Sequence, residues 1–220
     1  MQKTAKAFLI KMQIALFPLN VVLFPGSKLP MHIFEERYKV MINECISENH
    51  VFGMNYMSEK NLHSTGCTAM VSKVVKRSPN GELDIEINGV SRYLLKKYEL
   101  NDAGFFTGEI MLLEENNNFT NEDHFNTAVT EYNKLIDITS HGLLGKIIPS
   151  DTKWRDGKSS VSFFISQKCG LTIQERQLML EINTEDERLK YLVNYFEKLM
   201  PKIKEADRIA TIIKNDGYLQ

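Results

Sequence analysis

The chain of 220 residues is poor in the residues that most directly announce chemistry. Its three cysteines, Cys45, Cys67 and Cys169, are scattered with no C-x-x-C pair, which excludes a disulfide framework or a thiolate zinc site and suits a reducing cytoplasm. The five histidines form no H-E-x-x-H and no i, i+4 pair, so no metal ligand set is visible. A phosphate loop is missing too: Gly157-Lys158-Ser159 has Thr152 where the first glycine of the cradle would stand. Charge of one sign is equally lacking, with 27 Lys and Arg against 28 Asp and Glu, so the basic stripe of a nucleic-acid binder is not there. No apolar run is long enough to cross a bilayer, because Pro18, Asn20 and Pro25 interrupt the best candidate. The flank Ala7-Phe8-Leu9-Ile10 is too short for a secretory signal. What is left is an ordinary globular composition, 43% hydrophobic and 25% charged, for which we expect a cytoplasmic location and no cofactor or metal.

The most informative stretch is LFPLNVVLFPGSKLPMHIFEERY, residues 16–38. Each proline fixes its own φ, removes a donor and drives the preceding residue extended. The local chemistry predicts a strand through Val21-Val22-Leu23 bracketed by Pro18 and Pro25 at an edge. A Pro25-Gly26 turn, a second strand over Leu29–Phe34 and a helix opening at Glu35 follow. That helix runs to about Glu48, and Val51–Met57 reads as a buried strand. Thr68–Arg77 and Glu82–Val90 form a hairpin across Ser78-Pro79-Asn80-Gly81, with Leu83, Ile85 and Ile87 alternating inward. Arg92–Leu100 and Phe105–Glu114 read as two more strands turning at Asp102-Ala103-Gly104. Many short strands with one helix predict a small, partly closed barrel.

After Glu114-Glu115-Asn116-Asn117-Asn118 the period becomes helical. Asn121 caps a helix to about Asp137, a loop with Trp154 and the apolar Leu143, Leu144, Ile147 and Ile148 covers 140–158, and Ser160–Lys168 forms a helix stopped by Gly170. Thr172/Glu175 and Thr184/Glu187 read as capping boxes, and Pro201 predicts a kink or an end in the last helix. The expected organisation is an extension over 1–13, a β-barrel subdomain over 14–118 and a helical subdomain over 119–220.

FPLNVVLFPG followed by LPMHIFEERY resembles the opening signature of the Lon protease amino-terminal, substrate-binding domain family. Gly89-Val90-Ser91-Arg92-Tyr93 resembles its glycine-x-x-arginine-aromatic step, and Glu175–Glu181 with Arg188-Leu189 its helical half, so the resemblance runs from Ile14 to Met200. One departure is Glu36, where the family usually has proline; both suit a first helical turn. The resemblance implies an α+β fold, a PUA-like β pseudo-barrel with one helix followed by an α-helical bundle. It also implies a stand-alone copy of the domain without the ATPase and Ser-Lys peptidase of the full enzyme, hence a non-enzymatic binder of polypeptide segments or of a protein partner. An adaptor or a binder of unfolded segments fits that description. The candidate contact residues are Phe24, Pro25, His32, Phe34, Arg37, Arg92 and Trp154. Each also has a purely structural reading: His32 fixing the turn, Arg37 and Arg92 forming salt bridges, Trp154 capping the helical core. Two rival readings are RNA binding by a PUA-like barrel and a small-ligand enzyme with an unrecognised site, both resting on fold analogy alone.

Overall fold

The computed structural model describes residues 11–59, 61–140 and 145–215. Residues 1–10 of the expected extension over 1–13 and the loop residues Gly142, Leu143 and Leu144 lie outside the described residues. The chain forms two compact units, Met1–Glu115 with Thr172–Glu181, and Asn116–Leu171 with Ile182–Gln220.

The first unit is built on six strands: β1 (Lys11–Leu19), β2 (Lys28–Ile33), β3 (Phe52–Ser58), β4 (Asn61–Arg77), β5 (Leu83–Leu100) and β6 (Phe106–Leu112). Their order is β2-β5-β4-β3-β1-β6, and β6 also pairs with β5, so five strands close into a ring and β2 stays outside it. The closure depends on one long strand. The two strands expected over Glu82–Val90 and Arg92–Leu100 are one, β5 from Leu83 to Leu100, whose one side pairs first with β2 (Leu83–Asn88) and then with β6 (Tyr93–Leu100). Register shifts near Cys67, Val71 and Val74 on β4 supply the bends that such a strand needs.

Ile14, Leu16, Tyr93, Leu95 and Ile110 form one apolar cluster of this unit. A larger cluster gathers Leu83, Ile85 and Ile87 with Tyr38, Met41, Ile42 and Cys45 of α1 (Glu36–Glu48), residues at helical spacing on one face. Lys39 Nζ ties α1 to the β4–β5 turn by donating to the Asn80 carbonyl at 3.0 Å. In that turn only Gly81 takes a positive φ, +81°, while Asn80 does not. The short helix α4 (Ile173–Glu181) also belongs to this unit, beginning with the reciprocal capping box of Thr172 and Glu175.

Three expectations are corrected. Val21-Val22-Leu23 is not a strand: Phe24 N–H donates to Ser27 Oγ at 3.1 Å and its carbonyl accepts from Ser27 N–H at 3.0 Å, so the Pro25-Gly26 turn satisfies the backbone that a ladder would have used. Pro18 lies within β1 rather than bracketing a strand over Val21-Val22-Leu23. It is tolerated because pairing to β6 stops at Leu16, leaving Pro18 with β3 on one side only. Of the kink or end expected at Pro201, the end is absent: the last helix, α5 (Glu185–Asn215), runs through it. The carbonyl that the proline leaves without a donor is that of Glu197, one turn earlier, and Glu197 is exposed, so water can take it.

The second unit holds α2 (Glu122–Ser140), a 3₁₀ turn (Thr152–Trp154), α3 (Val161–Ser166) and α5. Asn121 Oδ1 caps α2 by accepting from His124 N–H at 3.0 Å. Asp186 accepts from the N–H groups of Thr120 and Asn121, both at 3.0 Å, and so secures the α2 entry to α5. A buried ion pair, Glu185–Arg188 at 2.7 Å, anchors α3: Glu185 accepts from Ser160 and Ser162, and the Arg188 guanidinium lies 4.2 Å from the Phe163 ring centroid. Among the described residues no helix is long and apolar enough to cross a membrane.

Candidate binding groove

The strand-turn-helix segment that opens the domain builds a groove of about 410 Å³. Its lining is Phe17 and Leu19 from the end of β1, Val21 from the connection, Leu29–Ile33 from β2, and Phe34, Glu35 and Tyr38 from the entry to α1. The Phe17 and Tyr38 rings stack 4.0 Å apart and make a rigid aromatic floor. Burial holds the Tyr38 phenol above its usual pKa, against the opposing charge of Arg37, so this floor is uncharged over the physiological range. Phe34 is 59% exposed, a large apolar side chain left in water at the groove's margin. The His32 ring stacks on it with centroids 6.0 Å apart, held by a 2.7 Å contact from Nδ1 to Asp84 Oδ1. Glu35, the one carboxylate among the described lining residues, is paired with Arg37 at 2.8 Å.

The structure brings His32 and Phe34 together in this groove and sets Arg37 beside it through Glu35. Arg37 also donates to the Gly104 carbonyl at 3.4 Å and covers the Tyr38 ring. Phe24 and Pro25 lie outside the lining, at the turn. Phe24 is buried where its carbonyl meets Gly89 so closely that a Cβ on Gly89 would collide with it. Arg92 is buried and donates from Nε to Glu115 Oε1 at 2.9 Å and from Nη1 to the Leu180 carbonyl at 2.9 Å, joining β5 to the last turn of α4. Trp154 is buried in the helical unit against Phe164, with ring centroids 5.2 Å apart. The groove residues Phe17, Leu19, Val21, Leu29, Met31 and Tyr38 went unmarked in the sequence. The alternation of Leu29, Met31 and Ile33 was the available signal.

Other features are chemically quieter. A recess of about 190 Å³ on β1, β5 and β6 is polar, lined by residues such as Lys97 and Glu109. Among the described residues no group of three or more His, Cys, Asp or Glu could hold a metal ion. The Cys45 thiol is pushed up to about 11, first by burial and then by Glu44 and Glu48, and the Cys67 thiol is raised further by complete burial. Thiols so shifted are poor nucleophiles.

Comparison with known proteins gives this geometry a family. Residues 13–198 match the model of the ATP-dependent protease La (LON) substrate-binding domain. Similar curated proteins are Lon protease 1 of Hydrogenovibrio crunogenus, 29% identical over 89% of this chain, and the Lon protease of Flavobacterium johnsoniae, 22% identical over 94%. The chain spans only about a quarter of those relatives, 25% and 26% of their lengths. In fold it is similar to a Lon N-terminal domain protein from Xanthomonas campestris, with a TM-score of 0.64 at 21% identity, covering 84% of this chain and 98% of that one. It is likewise similar to the N-terminal domain of the Mycobacterium avium complex Lon protease, with a TM-score of 0.59 at 15% identity and the same coverage. The α+β architecture of a six-stranded sheet with a C-terminal helical region is shared with these structures. The match is to a substrate-binding domain and to no catalytic one. The chain therefore belongs to the Lon substrate-binding domain family.

Proposed function

We propose that this chain is a non-enzymatic polypeptide-binding module whose contact surface is the β2–α1 groove, acting as an adaptor or a binder of unfolded segments. The observation that carries the reading is Phe34, held in water beside an aromatic-floored apolar groove within the residues, 13–198, that match a substrate-binding domain. Exposed apolar surface beside a preformed groove favours an apolar occupant, because burying it removes area from water. Fully burying a phenylalanine is worth about 1.5–3 kcal/mol. Since Phe34 is already partly covered, Phe34→Ala removes about 1–2 kcal/mol of binding, roughly five- to thirtyfold in Kd. The test is titration of a labelled, reduced and carboxymethylated protein, which stays unfolded, against wild type and Phe34→Ala. Binding weakened by that factor supports the reading. Absence of binding to folded wild type, or binding indifferent to Phe34→Ala, refutes it.

A further inference from the structure

β2 has two edges, and among the described residues only one is paired. Among the described residues it pairs with β5 alone, and β2 stands outside the ring that closes the other strands. The groove is lined by five successive β2 residues, Leu29–Ile33. Successive strand residues point to opposite faces, so a cavity that touches all of them runs along the strand's edge and not over one face.

The direction of the edge groups follows from the ladder. Gly89 N–H donates to the Ser27 carbonyl at 2.8 Å, and the register continues as Leu29↔Ile87, Met31↔Ile85 and Ile33↔Leu83. Alternation in an antiparallel pair turns the backbone groups of Leu29, Met31 and Ile33 toward β5 and those of Lys28, Pro30 and His32 outward. Pro30 provides an independent check, because a proline is acceptable in a strand only where its missing N–H faces away from the ladder. The open edge thus offers carbonyls at Lys28, Pro30 and His32 and N–H groups at Lys28 and His32.

We propose that the groove's occupant is an extended polypeptide segment that adds as a strand to this open edge of β2, with uncharged apolar residues at alternate positions. This rests on the groove being the binding surface. Residues of the added strand on the inner face continue the row of Leu29, Met31 and Ile33 over the floor of Phe17, Leu19, Val21 and Tyr38. Residues between them share the outer face with Lys28 and His32 and stay in water. The charge of the described lining matches such a segment: its one carboxylate, Glu35, already has Arg37, so a charged side chain entering the groove finds no free partner among the described lining residues. A helix presents apolar residues at i, i+3 and i+4 with its backbone bonded internally, and it can use neither the edge nor the alternate spacing. Pro30 and the exposed Lys28 guard the edge against indiscriminate pairing, so the groove and the edge must be engaged together.

The test uses two labelled peptides of identical composition, one alternating apolar and polar residues and one reordered to a helical period, with single backbone N-methylation scanned along the first. The expected result is at least tenfold tighter binding of the alternating peptide and a loss of about fivefold or more on N-methylation at every second residue, the size of one hydrogen bond. Equal binding of both peptides that remains sensitive to Phe34→Ala, with no periodicity in the N-methyl scan, overturns strand addition and leaves groove binding standing. Failure of both peptides to bind, while an unfolded protein binds in a Phe34-dependent manner, also overturns strand addition alone. Failure of every polypeptide overturns both readings.

Discussion

Replacing Arg92 separates the structural from the ligand-contacting reading of a residue that looks functional in the sequence. Its guanidinium is buried, paired to Glu115 and bonded to the Leu180 carbonyl, so Arg92→Ala takes the counter-charge from a half-buried carboxylate, which keeps only the Arg92 backbone N–H at 3.3 Å, and takes a donor from a helix-end carbonyl. Breaking a buried pair on one side costs about 3–5 kcal/mol. The Glu115 side chain is 19% exposed, and water reaching it sets the loss near the lower end, about 3 kcal/mol. With a urea dependence of about 2 kcal/mol per molar, the midpoint of unfolding falls by about 1.5 M. Arg92→Met with Glu115→Gln removes both charges and is less damaging than Arg92→Ala, because no uncompensated charge remains. The assay is urea unfolding followed by far-ultraviolet circular dichroism, paired with binding of the unfolded-protein probe under native conditions. The structural account predicts a lowered midpoint and an unchanged Kd for the folded fraction. A midpoint within about 0.5 M of wild type together with lost binding would refute it.

Three further outcomes follow from the packing. Gly89→Ala places a Cβ against the Phe24 carbonyl, a backbone atom that cannot swing aside, and costs about 3 kcal/mol or more in thermal or urea unfolding. Burial raises the pKa of Asp186, but hydrogen bonds from Asn121 and Thr120 and the charge of His124 outweigh it and hold the net value below the ordinary one. A depressed folded value means stabilisation that is present above the unfolded pKa, near 4, and is lost as pH falls through the folded one. Asp186→Asn should therefore destabilise at pH 7 by about 1–2 kcal/mol and show a shallower loss below pH 4, read from melting temperature against pH. Cys45, with its thiol at about 11, should react with a disulfide reagent at pH 8 much more slowly than it does in denaturant.

Local chemistry was legible where neighbours in sequence are neighbours in space. The Thr172/Glu175 capping box, the Asn121 cap, the Pro25-Gly26 turn with Gly26 at φ +78° and the inward Leu83, Ile85 and Ile87 all rest on contacts a few residues long. A partly closed barrel was expected, but which strands close it was not legible, because the β1–β3 parallel pairing and the return of β6 to β5 are decided by distant partners. Val21-Val22-Leu23 shows the limit of propensity: β-branched residues suit a strand, yet a turn three residues on takes the backbone. Arg92 shows the same for charge. Its partners stand 23 and 88 residues away, so nothing local marks it as buried. The groove was half visible, since Phe34 and His32 fall in the signature, whereas its floor of Phe17 and Tyr38 exists only once β1 and α1 meet.

The central claim is that polypeptide binds at the β2–α1 groove. A photo-crosslinking amino acid placed at position 34, with an equally exposed control at position 75 on β4, tests it directly. With the unfolded-protein probe present, the account predicts a crosslinked product from position 34 and none above background from position 75. Crosslinking at 75 alone, or to the same extent at both, would contradict it.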